Sequence, residues 1–402
     1  MTVDLWDPVT LQDPYPLYEE LRSVPPGKGP LGWLFLDYAD VSALLVEPSL
    51  SSRRPELDID AIPHERSAAE SLLRRHSEGW FLRMDHPEHT RLRRLSRRAF
   101  SNERIAALGP AVDATVADLV ATIRSGEVTD LISEVAFKLP TLVMAQLLDV
   151  PKADRQSFLT WSDQVEKAYD KGPDWSALVE RPPRDVTGLA SLCDYLTALV
   201  EDRRRTPVDD FLGMMVASEH EGDRMATVEI VATCVMLIRT GRETTTNLIG
   251  NGMLALLRHQ DQFHQLRENR TLLPGAIREF LRYDSPLQIE GRTALAPVSA
   301  SGVTIDPGDV VMLGIGAANR DPKAFVQPAR FDLRRQDRSG SLSFGRGPHV
   351  CIAANLALRQ AHSTFTALLD AFSGAQLASD DLTWGRNPSL RGVRALPVLF
   401  EL

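Results

Sequence analysis

Cysteine is scarce in this chain. Only Cys193, Cys234 and Cys351 occur among 402 residues. That is too few for a disulfide framework and fits a reducing compartment, so a cytoplasmic location is expected. A surplus of positive charge is also missing. The net charge of −9 and a pI near 5.6 exclude a general nucleic-acid-binding role. No apolar run reaches the ~18 to 20 residues that span a bilayer. The longest candidate, around 228 to 238, is too short and is followed by Arg239. The N-terminal segment Met1-Thr2-Val3-Asp4-Leu5-Trp6-Asp7-Pro8 lacks a basic start and an apolar signal core. A soluble protein with no membrane or nucleic-acid partner is the expectation. Internal repeats, long low-complexity stretches and an obvious linker are absent too.

What is present is ample core material, with 43% apolar residues. Helical periodicity dominates. Helices are expected over 15–22, 87–100, 102–124, 186–204, 227–257, 261–268, 274–283 and 352–372. Short strands are expected near 32–35, 293–296, 303–305 and 309–313, and two more around Gln376 and 396–400. The segments 51–79 and 172–184 read as mobile loops. This is a mainly α chain with a minor β part.

One late segment stands out: Phe344-Gly345-Arg346-Gly347-Pro348-His349-Val350-Cys351. Its glycines permit backbone angles and close approaches that a side chain forbids. An alanine-rich helical run follows. A thiol ahead of a helix feels the positive end of the dipole, which favours the metal-binding thiolate. Cys351 alone could equally be an inert buried cysteine. The whole segment, however, resembles the haem-ligand signature F-G-x-G-x-H-x-C of the cytochrome P-450 superfamily at every specified position. The resemblance implies Cys351 as the iron ligand, with Phe344 and Gly345 shaping its loop. It implies a single cytochrome P-450 domain over 1–402. Its haem b (iron protoporphyrin IX) would lie between a long distal helix and the helix after the cysteine loop.

The long helix expected over 227–257 carries an unusual centre, Arg239-Thr240-Gly241-Arg242-Glu243-Thr244. A helix apolar on nearly all sides is normally buried, whereas glycine and threonine weaken a helix interior and buried charge needs a partner. A polar stripe with Arg239 pairing to Glu243 would account for it. The stretch also resembles the family's oxygen-activation motif A-G-x-[DE]-T, with Thr240 in place of alanine. The resemblance implies that Gly241 leaves room for dioxygen and that Glu243 and Thr244 handle protons. A threonine hydroxyl bonded to the carbonyl four residues back would bend or open the helix.

Three further sets fit the same family. Glu279 and Arg282 form an E-x-x-R pair, and Arg330, in Pro328-Ala329-Arg330-Phe331, matches its third structural partner. His89 and Arg93 form an H-x-x-x-R pair, which with Arg292 and His349 implies contacts to the haem propionates. Both pairs would be ordinary solvated helix faces in isolation. Arg94, Arg97 and Arg98 are either solvated or a docking patch for an acidic ferredoxin. Two departures, Ala353 for glycine and Leu358 for arginine, do not touch the ligand.

The resemblance implies a haem-thiolate monooxygenase that inserts one oxygen atom from O2 into a small organic substrate. Natural-product hydroxylation is the expected setting, with electrons from a ferredoxin and its reductase. Arg239, Thr240, Leu287 and Ile289 are the candidate substrate contacts. Arg239 would take an anionic group unless it pairs with Glu243 or Glu290, and a carrier-tethered substrate is a further candidate. The rivals are a peroxide-driven haem enzyme, which would not need Glu243 and Thr244, and a non-catalytic haem sensor or carrier.

Overall fold

The computed structural model describes residues 5–53, 64–169, 184–220, 222–337 and 339–402. Its contacts group the chain into two compact units. One comprises Met1–Ser51, Val112–Pro140 and Glu243–Leu402, and the other Ser52–Ala111 and Thr141–Arg242.

The first unit holds a five-stranded sheet in the order Lys28–Gly29, Gly32–Phe35, Val310–Gly314, Ile289–Ala294, Leu50–Ser51. Val310–Gly314 runs parallel to Gly32–Phe35 and antiparallel to Ile289–Ala294, setting Val311 opposite both Trp33 and Arg292. Alternation along these strands sends Phe35, Val311 and Leu313 into a core with Val41, Leu44 and Ile305. The reverse turn Ser301-Gly302 joins Val298–Ala300 to Val303–Ile305. A separate three-stranded sheet pairs Pro397–Glu401 with Gly374–Leu377 and Val128–Asp130.

Helix Leu273–Tyr283 begins with proline in its first turn, where no intrahelical N–H is lost. It packs Phe280 against Phe365 of helix Ala354–Ala371, ring centroids 4.8 Å apart. Gly252 makes room for that pair. A methyl group there would fall 2.6 Å from Phe280 Cδ2 and 3.0 Å from Phe365 Cζ.

The second unit is built on helices Arg155–Tyr169 and Thr187–Arg205. Phe158, Val165, Leu189, Leu192, Leu196 and Val200 are fully buried between them and their neighbours. Glu88–Arg97 is tied down by Arg91, whose guanidinium donates to Asp223 and, at 2.7 Å, to Glu229.

Thr227–Arg258 is one unbroken α-helix. The Thr240 hydroxyl does bond the Met236 carbonyl four residues back, at 2.7 Å. The helix nevertheless stays α-helical through Gly241, because the apolar turns on either side are buried and hold it. No break in the helix accompanies that bond.

The segment 51–79 also differs from expectation, since His64–Glu78 is helical. Few apolar residues mark it, but it is rich in Ala, Leu, Glu and Arg, which favour a helix without periodicity. Helices Lys138–Leu147 and Arg155–Tyr169 were likewise not anticipated. The proposed loop 172–184 lies outside the described residues except for Arg184.

Candidate functional site

In the first unit, Cys351 sits two residues ahead of Ala353, which caps helix Ala354–Ala371. Its backbone N–H donates to the Phe344 carbonyl at 2.8 Å, closing the loop into a ring. Gly345 and Gly347 both have φ of +72°, the left-handed region. A Cβ on Gly347 would also strike Val46 Cγ1 at 2.5 Å. Gly347–His349 forms a 3₁₀ turn that leaves His349 half-buried. The outcome is a cysteine side chain presented at an exposed position, on a backbone that only glycine accommodates.

The first unit also holds a buried ion network. Glu279 and Arg282 are each 3% exposed. Arg282 Nε and Nη2 donate to the two Glu279 oxygens at 2.7 and 2.8 Å. The remaining donors reach the carbonyls of Asn319 (3.0 Å), Pro328 (2.8 Å) and Arg330 (3.2 Å).

The third side chain is Arg335, not Arg330: its Nε lies 3.1 Å from Glu279 Oε2. The Arg330 side chain is exposed and only its carbonyl takes part, accepting from Arg282 and Arg335. The backbone sets this choice. Asp332 N–H donates to Glu279 at 3.0 Å, which carries the chain past the carboxylate and delivers Arg335 to it. Sequence offered Arg330, Arg334 and Arg335 within six residues, with no local signal to choose among them.

Arg292 is buried in strand Ile289–Ala294 and donates to Glu290 at 2.5 Å. Ile289 packs with Leu5, Tyr15, Tyr18, Leu36 and Ala317. Leu287 forms a bridge with Leu390 and packs at the edge of the Phe35 and Val311 core. Both candidate substrate contacts therefore have neighbours inside the first unit. Glu243 and Thr244 are half-buried on the long helix.

In the second unit, His89 and Arg93 share one face of Glu88–Arg97. Burial, aided by the Arg93 charge, pushes the His89 imidazole down to about 4. It is therefore neutral near pH 7 and offers one ring N–H. Arg94, Arg97 and Arg98 are exposed.

Arg239, Thr240 and Gly241 follow one another on the long helix. A Cβ built on Gly241 meets nothing within 4 Å, so open space adjoins the helix there. The ion-pair partner of Arg239 is Glu166, at 3.9 Å, rather than Glu243 or Glu290. Glu290 is drawn to Arg292 instead. Arg242 is buried and lies 3.2 Å from Asp163. Burial pushes the Asp163 carboxyl up, but Lys167 and Arg242 together hold it below its ordinary value. Glu166 and Asp163 stand more than seventy positions upstream of their arginines, and no sequence motif announced them.

The sequence profile named Cytochrome P450 matches residues 61–382. The chain belongs to the cytochrome P450 family. It is 37% identical to "Vitamin D(3) 25-hydroxylase" of Pseudonocardia autotrophica over 98% of this chain and 96% of that protein. It is 35% identical to "Cytochrome P450 monooxygenase PikC" of Streptomyces venezuelae, over 97% and 91%. Among solved structures it resembles P450BioI in complex with hexadec-9Z-enoic acid ligated acyl carrier protein. That match has a TM-score of 0.85 and 32% identity, over 98% of this chain and all of that one. This cytochrome P450 is thus a haem-thiolate monooxygenase acting with O2 on a small molecule.

The residues present fit a haem. No three His, Cys, Asp or Glu side chains gather as a metal site among the described residues. A lone presented thiol suits an iron that already carries four porphyrin nitrogens. No helix among the described residues is long and apolar enough to cross a membrane.

Proposed function

We propose that this cytochrome P450 hydroxylates a natural product, using haem b held by Cys351 and electrons from a ferredoxin and its reductase. The observation that carries the proposal is the glycine-formed loop presenting Cys351. When bound, the haem supplies dioxygen activation and oxygen-atom transfer. Cys351 provides the anionic sulfur, and the backbone ring to Phe344 fixes its position. Gly345 keeps side-chain bulk away from that ring.

His89, Arg93, Arg292 and His349 would hold the propionates by charge and hydrogen bonding. Gly241 leaves space free of side-chain atoms. Glu243 and Thr244, half-buried rather than sealed, can pass protons inward from water. Glu279, Arg282 and Arg335 stiffen the cysteine loop's surroundings. Arg94, Arg97 and Arg98 offer exposed positive charge for an acidic redox partner.

The hydroxylation reading draws support from the kinship with the relative named Vitamin D(3) 25-hydroxylase. A cytoplasmic protein acting as one 402-residue domain completes the proposal.

The test is the ferrous carbonyl spectrum of protein from haem-sufficient cells. Wild type should show the thiolate-type band, and Cys351→Ala should lose it. A colourless wild type, or an unaltered band in the variant, overturns the proposal. Substrate-dependent NADH consumption with ferredoxin and reductase, rather than turnover with peroxide alone, checks the electron source.

A further inference from the structure

Cationic side chains collect around Tyr169 in the second unit. The Arg239 guanidinium carbon lies 5.8 Å from the Tyr169 ring centroid. Trp80 packs against that ring at 4.9 Å and carries Arg83 at 5.0 Å over its own ring. Arg184 donates to the carbonyl of Ala168, the residue beside Tyr169, at 2.9 Å. All three guanidiniums act electrostatically on the Tyr169 hydroxyl.

Among the described residues, the carboxylates that pair with arginines of helix Thr227–Arg258 are Asp163 and Glu166. Asp163 is already shared between Lys167 at 2.7 Å and Arg242 at 3.2 Å. Glu166 remains, and its 3.9 Å separation from Arg239 exceeds hydrogen-bond length. Arg239 Nε is buried and has no hydrogen-bond acceptor among the described residues. A guanidinium taken from water without acceptors is costly, and a carboxylate would satisfy it in bidentate fashion. Arg239 is also two residues from Gly241, beside which the helix borders open space.

We infer that Arg239, with Arg83 and Arg184 adding positive charge around the Trp80 and Tyr169 rings, forms a subsite for the carboxylate of an organic acid substrate. This rests on the monooxygenase reading above and adds the substrate's chemical class. Arg239, about a fifth of whose side chain is exposed, would orient the ligand's anionic end.

The test uses a series of ω-(imidazol-1-yl)alkanoic acids of increasing chain length and their methyl esters, titrated into the holoenzyme by calorimetry and by the Soret band. At one chain length or more, the acid should bind about 10- to 100-fold more tightly than its ester. Arg239→Ala should abolish that preference, and Arg239→Lys should keep part of it. Higher salt should weaken the acid and leave the ester unchanged. Equal binding of acid and ester at every length in wild type overturns the inference. So does a preference that survives in Arg239→Ala. The ferrous carbonyl spectrum separates the two readings, because a protein without a thiolate-type band contradicts the haem-thiolate assignment whatever the acid and ester do. The calorimetric difference between acid and ester reads the carboxylate subsite, because the imidazole is common to both.

Discussion

Two partly or fully buried arginines in this cytochrome P450 have opposite surroundings. Arg282, in the first unit, is 3% exposed and makes five hydrogen bonds, two to Glu279 and three to carbonyls. Arg239, in the second unit, keeps about a fifth of its side chain exposed and has one carboxylate at 3.9 Å. A guanidinium has five N–H donors in a fixed fork. At Arg282 the chain itself fills the fork, which is the mark of a structural part. At Arg239 the Nε is buried without an acceptor beside the Tyr169 ring, and the inferred carboxylate subsite rests on that difference. Residue type is the same in both, and completeness of pairing separates their roles.

The strongest way to break this contrast is to delete Arg282. Arg282→Ala orphans the Asn319 and Pro328 carbonyls and leaves buried Glu279 with Arg335 and the Asp332 N–H as its remaining partners. Removing one partner of a buried pair costs about 3 to 5 kcal/mol. The denaturant midpoint should fall accordingly, and haem retention should fall with it. A loss below about 1 kcal/mol would show that the network is not holding the fold.

The network also marks how far sequence could be followed. The Cys351 loop and the Glu279 and Arg282 pair were legible because each is local, with spacing of eight residues or fewer. Strands Gly32–Phe35 and Val303–Ile305 were legible because turn residues bound them. Arg335 was not, because an irregular loop has no period and its register depends on the Asp332 N–H bond to Glu279. Glu166 was invisible for a related reason: its helix, Arg155–Tyr169, had not been read from the sequence. Nor was helix His64–Glu78, whose polar composition carries no apolar stripe to detect. Periodicity reveals faces that bury oil, while the partners of charges come from tertiary contact.

A middle-sized effect tests the corrected third partner. Arg335 lies 3.1 Å from Glu279, pairs with Asp337 at 2.6 Å and bonds the carbonyls of Val326 and Arg330 at 2.7 and 2.8 Å. Glu279 keeps Arg282 when Arg335 is lost, so Arg335→Ala should cost about 1 to 3 kcal/mol, less than Arg282→Ala. Arg330→Ala removes an exposed side chain and keeps the carbonyl, so it should stay within about 0.5 kcal/mol of wild type. Chemical denaturation of the two variants side by side decides between the arginines, and the reverse ranking would restore Arg330 as the third partner.

The smallest stability effect belongs to Arg239, and it sharpens the contrast most. Arg239→Ala removes an ion pair too long for a hydrogen bond, worth about 0 to 1 kcal/mol. It also removes a cation–π contact at 5.8 Å, worth about 0.5 to 1 kcal/mol. Against these it relieves a buried Nε without an acceptor, a group whose desolvation costs about 1 to 3 kcal/mol. The opposing contributions nearly cancel, so the denaturant midpoint should move by less than about 1 kcal/mol in either direction. A residue placed for folding cannot behave this way. A loss of about 3 kcal/mol, matching Arg282→Ala, would make Arg239 a second structural arginine and erase the distinction between the two. A neutral result, joined to loss of acid-over-ester preference in the same variant, would leave ligand binding as the use of its charge.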